Sequence, residues 1–251
     1  MTAVFMLFRK ETSRFMKVWF QTVLAPVVTA LLYLVVFGHV LEGKIEVFPG
    51  ISYSAFIIPG LLMMSVIQNA FANSSSSLIQ AKANGNIIFV LLPPFSHWEF
   101  FLAYVGASVA RGILVGVGVF MVAVFYVKVP VENFLVVLAF AFLGSWTMGA
   151  LGLIGGIWAD KYDQLAAFQN FIIMPLTFLS GVFYSINSLT PFWQTLSKFN
   201  PFFYMIDGFR YGFFGQSDQP VLLSFFVVLF AAIVVTIIAM RLLITGYKLR
   251  H

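Results

Sequence analysis

Long runs without charge constrain this chain more than any other feature of its sequence. Between Glu46 and Lys82, 35 consecutive residues contain no Asp, Glu, Lys or Arg. Similar gaps lie between Glu132 and Asp160, between Asp163 and Lys198, and between Asp218 and Arg241. Only 9% of the 251 residues are charged and 61% are hydrophobic, which is too little charge to cover the surface of a soluble domain. The solvent around most of this protein is therefore lipid.

The apolar runs are long enough to cross a bilayer as helices, since about 20 residues span a hydrocarbon core of roughly 30 Å. They are uniformly apolar and do not alternate, which argues against the strands of a closed barrel. We therefore predict an all-α integral membrane protein with one domain over residues 1–251. The six predicted transmembrane helices are Gln21–Val40, Ser54–Asn73, Phe100–Val127, Phe134–Ala159, Leu165–Tyr184 and Val221–Leu243.

Residues 3–20 have the pattern of an amphipathic helix that lies in the membrane interface. Its predicted apolar sector contains Val4, Phe8, Phe15, Val18 and Trp19, and its basic side contains Lys10, Arg14 and Lys17. Glu11 breaks the pattern because it projects into the apolar sector. Two interpretations remain open: Glu11 pairs with Arg14 three residues later, or this face contacts another protein.

The distribution of Lys and Arg predicts that both termini face the cytoplasm. The predicted cytoplasmic set is Arg9, Lys10, Arg14, Lys17, Lys82, Lys161, Arg241, Lys248 and Arg250, against Lys44, Lys128, Lys198 and Arg210 on the other side. We read no removable signal peptide at the N-terminus. In a membrane protein a net charge of +5 mostly reflects cytoplasmic loops, so we expect contact with membrane lipids and none with nucleic acid.

Two connections differ from simple loops. Residues 74–99 are predicted as a cytoplasmic loop with a serine run, a possible short helix at Leu78–Ala83, an Asn84-Gly85-Asn86 turn and a Pro93-Pro94 stop. Residues 185–220 are aromatic and apolar but are broken by prolines and glycines. They are too interrupted for a span and too hydrophobic for a solvated loop, so we predict short re-entrant helices at the outer leaflet between the fifth and sixth spans.

Signatures of catalysis are largely absent from the sequence. There is no G-x-x-x-x-G-K-[ST] sequence for binding ATP, and no cysteine. His39, His97 and His251 have no companions at ligand spacing, so we predict no metal site and no cofactor in this chain. Asp160 and Asp163 are interpreted as a solvated turn. The stretches Gly112-x-x-x-Gly116 and Gly152-x-x-Gly155-Gly156 are interpreted as packing surfaces between membrane helices.

Polar residues inside the predicted spans are the candidates for a substrate path. Arg111 is expected to avoid lipid, because a charge in the bilayer costs at least about 2.5 kcal/mol. It lies either on the substrate path or in a buried contact with amides such as those of Gln68, Asn69 or Asn73. In the fifth span, Gln169 and Asn170 precede Pro175, a pattern that fits either a moving, cavity-lining helix or ordinary packing.

Two stretches near the C-terminus resemble the signature of ABC-2 type transporter permeases. Residues 175–184 read PLTFLSGVFY, a Leu189-Thr190-Pro191 step follows, and residues 200–210 read NPFFYMIDGFR. Ser185 stands where the general family often has Pro. A branch of uncharacterised bacterial permeases with Phe-Tyr-Ser at this point, and with Ala110-Arg111-Gly112 in the third span, resembles the chain better.

This resemblance implies the membrane subunit of a bacterial ABC exporter, a homodimer in the inner membrane that pairs with two copies of a separate ATP-binding subunit. ATP and Mg²⁺ would bind that partner. The implied contacts to the ATPase are Arg9, Glu11, Arg14, Lys82, Asn84 and Gly85. The implied path or external gate contains Arg111, Gln169, Asn170, Pro175, Asn200, Asp207 and Arg210, with a possible Asp207–Arg210 pair. A secondary transporter or a lipid-modifying membrane enzyme is the alternative, but no span has a central Asp or Glu for ion coupling.

Overall fold

A computed structural model describes residues 2–43, 47–91 and 96–248. The predictions made for Lys44, Pro93-Pro94, Arg250 and His251 concern residues outside these ranges. The helices are α1 (Thr2–Met16), α2 (Trp19–Leu41), α3 (Tyr53–Ala83), α4 (Ile87–Leu91), α5 (His97–Tyr126), α6 (Phe134–Trp158), α7 (Tyr162–Phe168), α8 (Met174–Phe178), α9 (Pro191–Lys198), α10 (Pro201–Phe214) and α11 (Val221–Thr245). A π-helical turn, Gln169–Ile173, joins α7 to α8, and a 3₁₀ turn, Ile186–Ser188, precedes α9.

Five helices in the described part of the chain are long and apolar enough to cross a membrane: α2, α3, α5, α6 and α11. Each agrees with a predicted span to within a few residues at one end at least. The predicted fifth span, Leu165–Tyr184, differs. Its helical run starts at Tyr162, widens into the π turn and stops at Phe178. Gly181 then adopts a φ of 71°, which turns the chain before Tyr184.

Helix α3 is the centre of the bundle and is buried along nearly its whole length between α5 and α6. Glycines on the neighbouring helices allow this close approach. Gly112 of α5 lies against Val66 and Ser145, whereas Gly152 of α6 lies against the backbone of Phe71. The predicted interpretation of these glycines as packing surfaces is confirmed.

The prediction that the cytoplasmic loop begins at residue 74 is wrong, because α3 continues without a break through the serine run to Ala83. The serine hydroxyls find partners inside the bundle and need no water. Ser75 donates to the carbonyl of Phe71 over 2.8 Å, and Ser74 donates to the carbonyl of Gly149 on α6 over 2.5 Å. The exposed Asn84–Asn86 turn and the short helix α4 follow.

Helix α1 packs across one end of the bundle, which we call the α1 end. Leu7 and Phe15 are buried, and the Phe8 ring lies against Gly106 of α5. The predicted helix 3–20 is too long, because α1 ends at Met16 and α2 begins at Trp19. Val18 and Trp19 are consequently exposed and do not belong to the apolar sector. Helices α9 and α10 lie at the opposite end, which we call the α10 end.

We expect Gly152→Ala to destabilise the bundle, because the added Cβ would overlap the carbonyl oxygen of Phe71, a backbone atom that cannot rotate away. Overpacking of this kind costs about 1–3 kcal/mol. A fall of several degrees in the thermal unfolding midpoint in detergent would measure it. The matched control is Gly106→Ala, whose Cβ would meet the Phe8 ring at an ordinary 3.5 Å. An equal midpoint for both variants would contradict this account of the packing.

Candidate coupling and transport sites

A cluster of charges joins α1 to α3 at the α1 end. Glu11 is fully buried, and its carboxylate accepts from Lys10 Nζ at 2.9 Å and from Arg14 Nε at 3.3 Å. Arg14 also donates to the Asn73 carbonyl at 2.6 Å, to Asn73 Oδ1 at 3.1 Å and to Ser76 Oγ at 3.2 Å. We call Lys10, Glu11, Arg14, Asn73 and Ser76 the α1 cluster. It attaches a peripheral helix to the central helix of the bundle.

The α1 cluster decides between two interpretations of Glu11. The carboxylate lies in the apolar sector, as predicted, and it pairs with Arg14. The face on which it lies is covered by this chain itself, by α5 and α3. The prediction that Arg14 lies on the outer basic side is wrong, because Arg14 turns into the bundle. Arg9 is exposed on the outer face of α1.

Arg111 lies on α5 beside α3, and its Nη2 donates to Asn69 Oδ1 at 3.2 Å. The predicted contact with a neighbouring amide is therefore present for Asn69. Gln68 is directed elsewhere, with Nε2 at 3.7 Å from Met174 Sδ, and Asn73 is occupied by Arg14 and Ser108. Arg111 is half-buried as a whole, and its Nε is buried without a hydrogen-bond partner.

Lys82 caps the C-terminus of α6 rather than projecting outward. Its Nζ donates to the carbonyl of Ala159 at 3.0 Å and to that of Ile157. Lys248 reaches the same helix end, with Nζ at 3.0 Å from the Trp158 carbonyl and 2.5 Å from the Asp160 carboxylate. That hydrogen bond raises the pKa of Lys248. Two cations thus neutralise the carbonyl end of α6 and fasten α3 and α11 to it.

Helix α4 presents apolar side chains at the α1 end. Ile88 is 58% exposed and Phe89 is 73% exposed, and both follow the exposed Asn84-Gly85 turn. The sequence predicted the turn as a partner contact but did not single out Ile88 and Phe89. An aromatic residue next to an Asn-Gly turn was the available signal.

The segment from α7 to α8 contains a local distortion beside exposed amides. In the π turn the Met174 amide donates to the Gln169 carbonyl, five residues back. The next residue, Pro175, has no N–H and its ring crowds the preceding turn, so a wider turn relieves the conflict. Asn170 is exposed and Gln169 is half-exposed, and neither amide side chain hydrogen-bonds to another described residue.

At the α10 end, carboxylates fasten the broken helices by accepting backbone and side-chain hydrogen bonds. Asp207 is fully buried and accepts from the amides of Asp218 at 2.8 Å and Gln219 at 2.9 Å. Asp218 in turn accepts from the Ile186 amide at 3.0 Å, from Asn187 Nδ2 at 3.0 Å and from the Ser185 hydroxyl. We call Ser185, Ile186, Asn187, Asp207 and Asp218 the α10 network. Sequence reasoning found Asp207 but missed Asp218, the carboxylate just before Pro220.

The possible pair of Asp207 and Arg210 is not among the salt bridges of the described residues. Arg210 is completely buried and donates to the carbonyl of Gly181 at 2.6 Å. Its guanidinium carbon lies 4.0 Å from the centre of the Phe56 ring of α3, a cation–π contact. The comparison of Lys and Arg on the two sides of the membrane treated Arg210 as a charge in an outer loop. This is wrong, because Arg210 is buried.

Asn200 connects the start of α10 to the end of α8. Its Oδ1 accepts from the Phe202 amide at 3.0 Å and caps α10. Its Nδ2 donates to the Leu176 carbonyl at 2.6 Å and to Ser180 Oγ at 3.0 Å. The two stretches 175–184 and 200–210 that stand out in the sequence are thus one packed unit.

A bundle of helices of membrane-spanning length, with an amphipathic helix across one end and short broken helices at the other, is the architecture of a multi-pass membrane protein. The described residues contain no group of three or more His, Cys, Asp or Glu side chains that could hold a metal ion. The family model for the ABC-2 type transporter matches residues 2–214, and the chain belongs to this family. It is therefore a multi-pass membrane permease of the ABC transporter class.

Relatives of known name agree with the family. The chain is 41% identical to the inner membrane transport permease YadH of Escherichia coli (strain K12) over 241 residues, 96% of this chain and 94% of that protein. It is also 23% identical to nodulation protein J of Rhizobium leguminosarum bv. trifolii over 203 residues, 80% of this chain and 78% of that protein.

We expect Asp218→Asn to loosen the α10 network, because an amide oxygen replaces a carboxylate that accepts three hydrogen bonds. Hydrogen bonds to a charged group contribute about 1.5–3 kcal/mol each to stability. Faster amide hydrogen exchange at residues 185–188 in detergent would report the loss. The control is Asp163→Asn, an exposed carboxylate at the α1 end. Equal exchange at residues 185–188 in both variants would refute the assigned role of Asp218.

Proposed function

We propose that this chain is the transmembrane subunit of an ATP-driven exporter in the bacterial inner membrane. It would act as a homodimer with two copies of a separate ATP-binding subunit, and it would move an amphipathic, lipid-linked, glycan or drug-like substrate. ATP and Mg²⁺ would bind the partner. Membership of the ABC-2 family and the relatives named as inner membrane permease and nodulation protein support this proposal.

The observation that carries the proposal is the link from α1 to α3 through Arg14. A helix outside the bundle is tied to the helix at its centre by Arg14, which the buried carboxylate of Glu11 holds in place. Displacement of α1 by a partner would therefore be passed directly to α3. Such a connection is what a transport subunit needs if hydrolysis takes place in a different chain.

The α1 end is the proposed cytoplasmic side, with both termini there. The described cations at this end include those of α1 together with Lys82 and Lys248. An excess of basic residues on one side is typical of the cytoplasmic face. The α7–α8 run would then be the fifth of six spans in chain order, and α9 with α10 would be re-entrant at the outer leaflet.

The proposed contact with the ATPase consists of α4, the Asn84-Gly85 turn and the outer face of α1 around Arg9. Ile88 and Phe89 supply exposed apolar area for docking. Lys82, Glu11 and Arg14 would support this surface from behind, since their charged groups are engaged within the chain.

The proposed substrate path follows the α7–α8 run, where Gln169 and Asn170 have unused hydrogen-bonding groups. An amide exposed to lipid is costly, so this face is expected to border the second copy or a polar cavity. The α10 network, with Asn200 and Arg210, would form the external gate. Pro175 and the π turn would let this run bend while α3 stays straight.

A pull-down tests the assembly. The tagged chain is co-expressed with an ATPase encoded beside its gene and purified in mild detergent. We expect it to recover a nucleotide-binding subunit. Phe89→Ala is expected to reduce recovery, because it removes an aromatic side chain of α4 that is 73% exposed. Phe192→Ala, which removes an exposed aromatic side chain at the opposite end, is the control. Absence of any nucleotide-binding subunit with the unmodified chain would overturn the exporter proposal.

We expect Glu11→Ala to weaken coupling while membrane insertion is retained. Lys10 and Arg14 would be left without their carboxylate, and Arg14, which links α1 to α3, would lose the acceptor that orients it. Detachment of α1 should lower both co-purification of the ATPase and its stimulation by the permease. Asp163→Ala, an exposed carboxylate at the same end, should leave both unchanged. If the ATPase still hydrolyses ATP at the normal coupled rate with Glu11→Ala, the α1 cluster does not have this role.

A further inference from the structure

The central helix α3 has one half-exposed stripe near the α1 end, and the stripe is largely polar. Its members, spaced three and four residues apart, are Gln68, Asn69, Ala72 and Ser76. Nearer the α10 end the same face of α3 is covered by α2, where Ile58 and Leu61 meet Val27 and Leu34. We call the uncovered stripe the α3 furrow. It is bordered by Arg14 and Arg111 on one side and by Met174 on the other.

Arg111 has unused hydrogen-bond donors in this furrow. A guanidinium carries five N–H donors, yet Arg111 makes a single hydrogen bond to the described protein, to Asn69. Its Nε is buried without any partner. Leaving a charged group so poorly satisfied within a span is costly, so the surroundings are expected to supply an acceptor.

The furrow also has an excess of positive charge. Arg14 already shares the carboxylate of Glu11 with Lys10, and Arg111 forms no salt bridge with any described carboxylate. Arg14 and Arg111 are near enough to repel each other. An anion placed at Arg111 would reduce this repulsion, and a phosphate or carboxylate matches the planar donor fork of a guanidinium.

A second copy of this chain cannot supply that anion at the depth of Arg111. Arg111 lies five residues beyond Gly106, the position that contacts α1, and so about 7.5 Å further into the bundle. The chain has nine Asp and Glu, and those at the α1 end are Glu11, Glu99, Asp160 and Asp163. Glu99 caps the start of α5, about 18 Å away along that helix, and Asp160 binds Lys248. Glu11 is engaged by Lys10 and Arg14, and Asp163 lies in the first turn of α7, so we infer that the acceptor comes from outside the protein.

We propose that the α3 furrow binds the anionic headgroup, a phosphate ester or a carboxylate, of a membrane amphiphile. Arg111 is the principal donor, and Asn69 and Gln68 hydrogen-bond the neighbouring polar atoms of the headgroup. The furrow lies just beyond the level of the interfacial helix α1, at the depth where headgroups meet acyl chains. The apolar tail stays in the lipid beside the furrow. This binding does not depend on the exporter proposal, because it requires neither ATP nor the partner subunit.

Retention of lipid by the purified full-length chain tests the proposal. The chain is reconstituted with equal amounts of phosphatidylglycerol and phosphatidylcholine, extracted, and the bound lipids are counted by native mass spectrometry. We expect phosphatidylglycerol to be retained about tenfold over phosphatidylcholine, and Arg111→Gln to remove that preference. Arg241→Gln, which neutralises an exposed cation on α11, should keep it. Equal retention of both lipids by the unmodified chain would overturn the proposal.

A second variant guards against misfolding of Arg111→Gln. Asn69→Asp puts a carboxylate where Arg111 already finds an oxygen 3.2 Å away, so the site is filled from within. We expect this variant to lose the preference for phosphatidylglycerol with an unchanged or higher unfolding midpoint. If Asn69→Asp and Arg111→Gln both retain the preference, the furrow is not the site. Displacement of the lipid by soluble glycerol phosphate at equal concentration would show that a free phosphate, not an amphiphile, is recognised, and would also overturn the proposal.

Discussion

The close packing of α3 against α5 and α6 determines where the other helices of this protein lie. In lipid no hydrophobic effect drives helices together, so contact depends on shape and on hydrogen bonds. Glycines at the contact points let the backbones approach, as at Gly152 against Phe71 and at Gly112 against Val66. Helices α2 and α11 are mostly exposed, as expected for helices that lie between this core and lipid. The three inner helices therefore form the scaffold, and the remaining helices are attached to it.

Charged side chains make these attachments at both ends of α3. Arg14 ties α1 to Asn73, and Arg210 stacks on Phe56 while it holds Gly181. Phe56 and Asn73 are 17 residues apart on one uninterrupted helix, a separation of about 26 Å. A single rigid element consequently carries the attachment points of the two ends. We expect a displacement at the α1 end to reach the α10 end through α3 with little loss.

Hydropathy was sufficient to predict five of the spans, because length and absence of charge are properties of each segment alone. It failed where contacts with other segments of the chain determine the structure. The serine run after Asn73 looked solvated, but its hydroxyls bond to carbonyls of α3 and α6. Asp207 and Arg210 have the spacing of a pair, yet each is directed to a different backbone segment. The contact of Arg111 with an amide was predictable, since a buried guanidinium requires a hydrogen-bond acceptor. Which amide it contacts, Asn69 or Gln68, depends on how α3 and α5 are rotated about their axes, and the sequence does not give that rotation.

The α7–α8 run differs from α3 in its π turn and its unpaired amides, although α3 also has a proline, Pro59, inside the helix. It contains a π turn and a proline, its amides at Gln169 and Asn170 have no partners among the described residues, and its links to α3 are a weak Gln68–Met174 contact and the stacking of Phe71 on Phe168. Contacts of this kind can slide without breaking a strong hydrogen bond. Since α3 is packed on nearly all sides, relative motion between the two is expected to occur by bending of α7–α8. The α3 furrow borders this run at Met174, so a headgroup bound at Arg111 would lie beside the part of the bundle that moves most easily.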